Sequence, residues 1–152
     1  MLRLFQYNWQ VRNEWFLLIE QIPKDKLLRE RIGGVGSILQ TLFHIIDVEY
    51  SWIRGLMEMP DIKPDFKDYK ELKLVIGLLD HCRIEIQGYL KSWGNEMDNK
   101  PVTVSWSENT YTYGEILRHL IAHEIHHIGQ LSVWAKELDI KIVSSNFIGR
   151  GL

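Results

Sequence analysis

The chain has 152 residues, 45% hydrophobic and 25% charged, with a formal net charge of −2, the balance of an ordinary globular protein long enough to bury one core. A pI of 6.3 argues against a strong phosphate-backbone binder, because few counterions would be released on nucleic acid. Cys82 is the sole cysteine, so no internal disulfide can form; no run nears the roughly 18 apolar residues of a membrane span; and Met1–Trp9 is too polar and aromatic for a signal peptide. The expectation is a single cytoplasmic domain spanning 1–152, with no nucleic-acid or membrane partner.

Four segments carry a helical apolar period. In the first, Leu4, Val11, Trp15, Leu18 and Ile22 share a face and Pro23 closes the helix, followed by a polar stretch and a break at Gly33, Gly34 and Gly36. The second opens on Ser37-Ile-Leu-Gln40, the pattern of a reciprocal capping box, and runs through Ile38, Leu42, Ile45, Val48, Trp52 and Leu56 to stop before Pro60. The third begins near Asp68–Glu71, carries Leu72, Val75, Leu79, Cys82, Ile86, Tyr89 and Trp93, and ends by Gly94. Val102–Trp106 and Thr110–Thr112 alternate and are rich in β-branched and aromatic residues, and Ser107-Glu108-Asn109 has turn chemistry, which predicts a small β-hairpin. The fourth helix starts at Thr112-Tyr-Gly-Glu115, a second capping box, with Ile116, Leu120, Leu131, Trp134 and Leu138 on its stripe. The tail after Asp139 is expected to pack over one end. Amphipathic helices of this length bury their stripes against one another, so the predicted class is all-α: a four-helix bundle with a hairpin between helices three and four. Its up-down order does not follow from the pattern.

Four of the six histidines fall within nine residues of the fourth helix: His119, His123, His126 and His127. Positions 119, 123 and 127 spread over roughly 80° of the circumference, on the apolar stripe between Leu120 and Leu131, whereas His126 sits at its edge. Two imidazoles in adjacent turns of a buried face cannot both be protonated without desolvation and repulsion. A shared metal ion resolves this, because the i, i+4 spacing lets both rings reach it. A third ligand is needed. His44 on helix two is the better candidate by phase; His81, one residue off the stripe of helix three, is the alternative. Cys82 reads as a small core residue.

Segment 123–127 also matches His-Glu-x-x-His, two zinc ligands and a general base in zinc peptidases. The extended pattern wants glycine at 130 and histidine at 133, where the chain has Gln130 and Val133. Little chain remains to build a second lobe, and Glu124 is rotated about 100° from His123, toward a neighbouring helix or solvent. The peptidase reading is therefore set aside.

Ser37–Trp52 with its His44, paired with His119-x3-His123-x3-His127-x-Gly129-Gln130, resembles the DinB/YfiT-like family of bacterial metalloenzymes, and the likeness extends to Tyr7-Asn8-Trp9 and the hairpin. The resemblance implies a metal held by His44, His123 and His127, a homodimer, a link to stress response, and in several members the use of a low-molecular-weight thiol. Three neutral histidines leave an ion its full charge and an open position, the arrangement of a catalytic site; zinc or nickel suits such ligands. The leading expectation is a metal-dependent transferase in which a small thiol attacks an electrophile at the helix-one and helix-two end. The rivals are a metal-dependent hydrolase and a metal-binding protein without turnover. Tyr7, Asp47, Glu49 and Glu124 lie near enough to be considered as acid or base, and none is assigned that role.

Overall fold

The computed structural model describes all of residues 1–152. Five helices form: α1 (Leu2–Ile19), α2 (Lys24–Leu28), α3 (Ile38–Leu56), α4 (Leu72–Lys91) and α5 (Tyr113–Glu137), with strands β1 (Pro101–Thr103) and β2 (Thr110–Thr112) between α4 and α5. No helix is long and apolar enough to cross a membrane. The predicted boundaries hold within a few residues for the long helices. Helix α2 was not foreseen; Pro23, expected only to end α1, also stands as its N-cap, a position compatible with a residue that has no backbone N–H.

Local chemistry explains the two best-defined starts. At α5 the Thr112 side chain accepts from the Glu115 backbone N–H while the Glu115 carboxylate accepts from the Thr112 N–H, a complete capping box. At α3 only half of the expected box forms: Ser37 Oγ accepts from Gln40 N at 3.2 Å, and no return bond from the Gln40 side chain accompanies it. The hairpin pairs Val102 with Tyr111 in antiparallel register, but β1 is shorter than the predicted Val102–Trp106. Val104 instead turns in against α3, where Gly55 leaves room for it: a Cβ at position 55 would lie 2.8 Å from Val104 and 3.0 Å from Trp106.

Contacts between named residues give the helix directions. Asn8 and Arg12 of α1 reach Ile121 and Glu124 of α5, so these two helices run together. Tyr69 lies against Phe43, and Glu85 against Tyr50 and Arg54, so α3 and α4 also run together. Along α3, His44 faces His127 and Trp52 faces His119, so α3 opposes α5. The parallel α3–α4 pair requires residues 57–71 to cross back along the molecule, with a single 3₁₀ turn at Phe66–Asp68. The tail does not cover an end as expected. It lies along α1, with Tyr7 donating to the Ser145 carbonyl at 2.7 Å and Arg150 paired with Glu14.

The core carries charge at its centre. Phe5, Trp9, Arg12, Phe16 and Ile19 are three or four residues apart on one face of α1, and all are buried, Arg12 to 0% exposure. Its guanidinium grips Glu124 of α5 through two bonds of 2.7 and 2.5 Å and Glu49 of α3 at 2.7 Å, while the Trp9 indole N–H donates to the other Glu49 oxygen at 2.8 Å. Burial alone would lower the Arg12 pKa, but the two glutamates outweigh it and raise it. Replacing one member of such a buried set leaves uncompensated charge. Arg12→Met is expected to cost about 3–5 kcal/mol, read as a lower urea midpoint; a loss below about 1 kcal/mol would show that the cluster is not holding the helices together.

Candidate metal centre

The triad is built from two antiparallel helices. His44 projects from the middle of α3, and His123 and His127 from adjacent turns of α5. The Nε2 atom of His123 lies 3.1 Å from that of His44 and 3.1 Å from that of His127, and ligand atoms of all three rings lie within 4.8 Å of one another. For zinc–nitrogen bonds of about 2.0–2.1 Å, nitrogens sharing one ion stand about 3.3 Å apart in tetrahedral and about 2.9 Å apart in octahedral geometry. The observed contacts fall between these values, so the donor set fits a divalent ion. The Nδ1 of His127 is buried without a hydrogen-bond partner, so packing rather than an acceptor orients this ring, unlike most metal-binding histidines.

The rings are held neutral. Burial first, then His127 and His44, lowers the His123 pKa to about 3; burial first, then His44, lowers that of His127 to about 4; burial also lowers that of His44. His127 is only 7% exposed, whereas His44 and His123 are half-buried.

The structure sorts the remaining candidates. His81 is exposed on α4 beside Tyr50, away from the triad. His126 is exposed at the edge of the stripe, and exposed His119 lies between His123 (ring centroids 5.7 Å apart) and Trp52 (5.8 Å). Burial pushes the Cys82 thiol up to about 12, which suits a core residue and not a thiolate ligand. Glu124 turns to a neighbouring helix and is clamped by Arg12, as is Glu49, so neither is free to move a proton. Tyr7 is tied to the tail. Asp47, one turn from His44, lines a cavity, and its carboxyl is pushed up to about 6 by burial and by Asp61, against the pull of Lys63. Two cavities adjoin Trp52, one between α3, β2 and α5 and the other between α3, residues 61–63 and Trp106. Sequence periodicity passed over Arg12, and Glu49 and Glu124 were considered only as acid or base, not as its partners, although each falls in phase with its helix's apolar stripe.

Fold and site together define a helical protein with a three-histidine cluster able to hold a metal ion. The chain belongs to the DinB family, whose model matches residues 1–144. It is 51% identical over 153 residues to the uncharacterized protein YizA of Bacillus subtilis (strain 168), with 100% of this chain and 96% of the relative covered. A crystal structure of a DinB-like protein from Bacillus cereus ATCC 10987 shares its fold, with a TM-score of 0.67 at 16% identity over 93% of this chain and 94% of the other.

Neutral histidines have a pH signature in the metal-free protein. An unfolded chain takes up protons on these rings below about pH 6.5, whereas the folded state resists uptake until about 4 for His127 and about 3 for His123. Their contribution to stability is present above pH 6.5 and is lost progressively as the pH falls toward 3. Denaturation midpoints of metal-free wild type and a His123→Phe/His127→Leu variant should therefore diverge, the wild type falling more steeply between pH 6.5 and 4. Parallel curves would show that the rings protonate in place.

Proposed function

We propose that His44, His123 and His127 hold one divalent ion, zinc or nickel, within a single four-helix-bundle domain, and that the protein is a metal-dependent transferase joining a low-molecular-weight thiol to a small electrophile. The observation that carries this reading is the convergence of three neutral imidazoles at 3.1 Å contacts from two helices, with two of the rings half-buried. A bound divalent ion would supply Lewis acidity, favouring the thiolate of a coordinated thiol at neutral pH. The chain's own part is to keep the three lone pairs available, because burial removes competition from protons. It also excludes other nucleophiles from the centre: Cys82 is a buried thiol, and Glu49 and Glu124 are committed to Arg12.

Hydrolysis is the second reading. Asp47, one turn from His44 on α3, with its carboxyl raised to about 6 and lining a cavity, is a proton acceptor suited to water at neutral pH. The expected homodimer draws support from Ala122, Ile125, Gly129 and Val133, an exposed small and apolar stripe along α5. A cytoplasmic location and a part in stress response belong to the same reading.

Titration with Zn²⁺ or Ni²⁺ should give one ion per chain, and His44→Ala, His123→Ala and His127→Ala should each weaken binding by more than about tenfold, while His81→Ala should not. Wild-type affinity in all three triad variants would remove the site. Metal-loaded protein incubated with a thiol and an electrophile should consume both together. Turnover of a substrate without thiol would favour the hydrolase, and absence of turnover across thiol and ester panels would leave a binding protein.

A further inference from the structure

Two cavities flank Trp52, two turns along α3 from His44. One, of 310 Å³, is bounded by Trp52, Tyr111, Glu115, Ile116 and His119. The other, of 260 Å³, has Trp52 and Trp106 as aromatic walls, with Asp47, Asp61 and Lys63 at its polar edge. Trp106, Tyr111 and His119 meet Trp52 nearly perpendicular, with ring centroids 5.4, 5.6 and 5.8 Å away. These four rings come from α3, the hairpin and α5, and none is fully buried. The same chain buries Trp15 and Trp134 to 1% exposure, so the Trp52 group is the lining of an open cleft rather than core. Half-exposed rings gathered around a concavity with a few polar groups are the usual make-up of a small-molecule site.

The cleft comes within one side chain of the triad: His119 lines it and stands next to His123, one turn away on α5 with ring centroids 5.7 Å apart, and Asp47 lines it one turn from His44 on α3. Trp52 stands eight residues from His44, about 12 Å along the helix, so a planar body seated there reaches the histidines through a substituent that extends past His119. Glu115, in the first cavity, is bound to the Thr112 N–H and faces Arg118. In the cavity walled by Trp106, Asp47 and Asp61 face a single ammonium, Lys63, whose 3.8 Å approach to Asp61 is that of a solvent-exposed lysine and so a weak counterweight. An anionic ligand entering here meets carboxylates with little compensation.

We propose that this cleft is the seat of the electrophilic substrate, and that the substrate has a planar, aromatic or conjugated body carrying no negative charge. The proposal rests on the triad being the reactive centre, and it assigns the cleft to the electrophile rather than to a carboxylate-bearing thiol.

The test uses three probes of one shape: 1-naphthalenemethanol, 1-naphthylmethylammonium and 1-naphthoate. Calorimetric titration of the metal-free protein at pH 7.5 should show the neutral and cationic probes binding at least about tenfold more tightly than the carboxylate. Trp52→Ala should weaken the neutral probe by a similar factor, and Trp106→Leu serves if the first variant folds poorly. In Asp47→Asn/Asp61→Asn the discrimination against naphthoate should shrink. Equal binding of naphthoate and the alcohol, or unchanged binding of the alcohol in folded Trp52 and Trp106 variants, overturns the proposal. Co²⁺ separates this from the metal reading. In cobalt-loaded wild type the bound probe's proton resonances should broaden. Failure to take up Co²⁺ with the probe preferences intact would refute the metal site and leave the cleft; uptake without broadening would place the probe elsewhere and refute the cleft.

Discussion

A fully buried guanidinium, Arg12, joins three helices through two buried carboxylates, and the geometry of the site depends on that junction. Arg12 on α1 reaches across the core to Glu49 on α3 and sideways to Glu124 on α5. These are the two helices that bear the triad, and Glu124 sits between His123 and His127 in sequence. Hydrophobic contacts are non-directional and tolerate small rotations; a bidentate arginine–carboxylate pair does not. The ion cluster thus sets the rotation of α5 and α3 about their axes, and the rotation sets which rings face one another. Arg83, over the Trp9 ring at 5.1 Å, adds positive charge beside the two glutamates.

The site grades from dry to open over a short distance. The clamp is sealed and its groups are fully committed, which is why the His-Glu-x-x-His match yields no general base: the glutamate is turned into the core and paired. One face over, His127 is nearly buried, His44 and His123 half so, and the rings beyond them reach solvent. Burial enough to keep imidazoles neutral, with exposure enough to admit a ligand, suits metal binding better than either a sealed core or a hydrated surface.

Much of this was legible in the chain. The apolar period placed the long helices, Thr112 and Glu115 marked the start of α5, and helical phase preferred His44 over His81, which the structure leaves exposed on α4. What was missed was missed for physical reasons. Counting apolar residues passes over Arg12, Glu49 and Glu124 because they are charged, yet each lies in phase with its own stripe, at Trp9–Arg12–Phe16, Ile46–Glu49–Ile53 and Leu120–Glu124–Leu131. A charged residue in phase with a core stripe on three separate segments is the signal that could have found the cluster. Helix α2 is too short to show a period. The parallel course of α3 and α4 follows from tertiary packing of residues 57–71, where no local pattern specifies direction. Trp52 read as core because periodicity reports which face a residue occupies, not whether that face meets a cavity.

Three histidine nitrogens, and no other side chain of this protein, are proposed to bind one metal ion. X-ray absorption spectroscopy of the zinc- or nickel-loaded protein measures the number and kind of ligands directly. The expected result is three imidazole nitrogens at about 2.0–2.1 Å, no sulfur from the protein, and the remaining position or positions filled by light atoms from solvent. Two imidazoles or fewer, or a ligand sulfur at about 2.3 Å in the absence of added thiol, would contradict it.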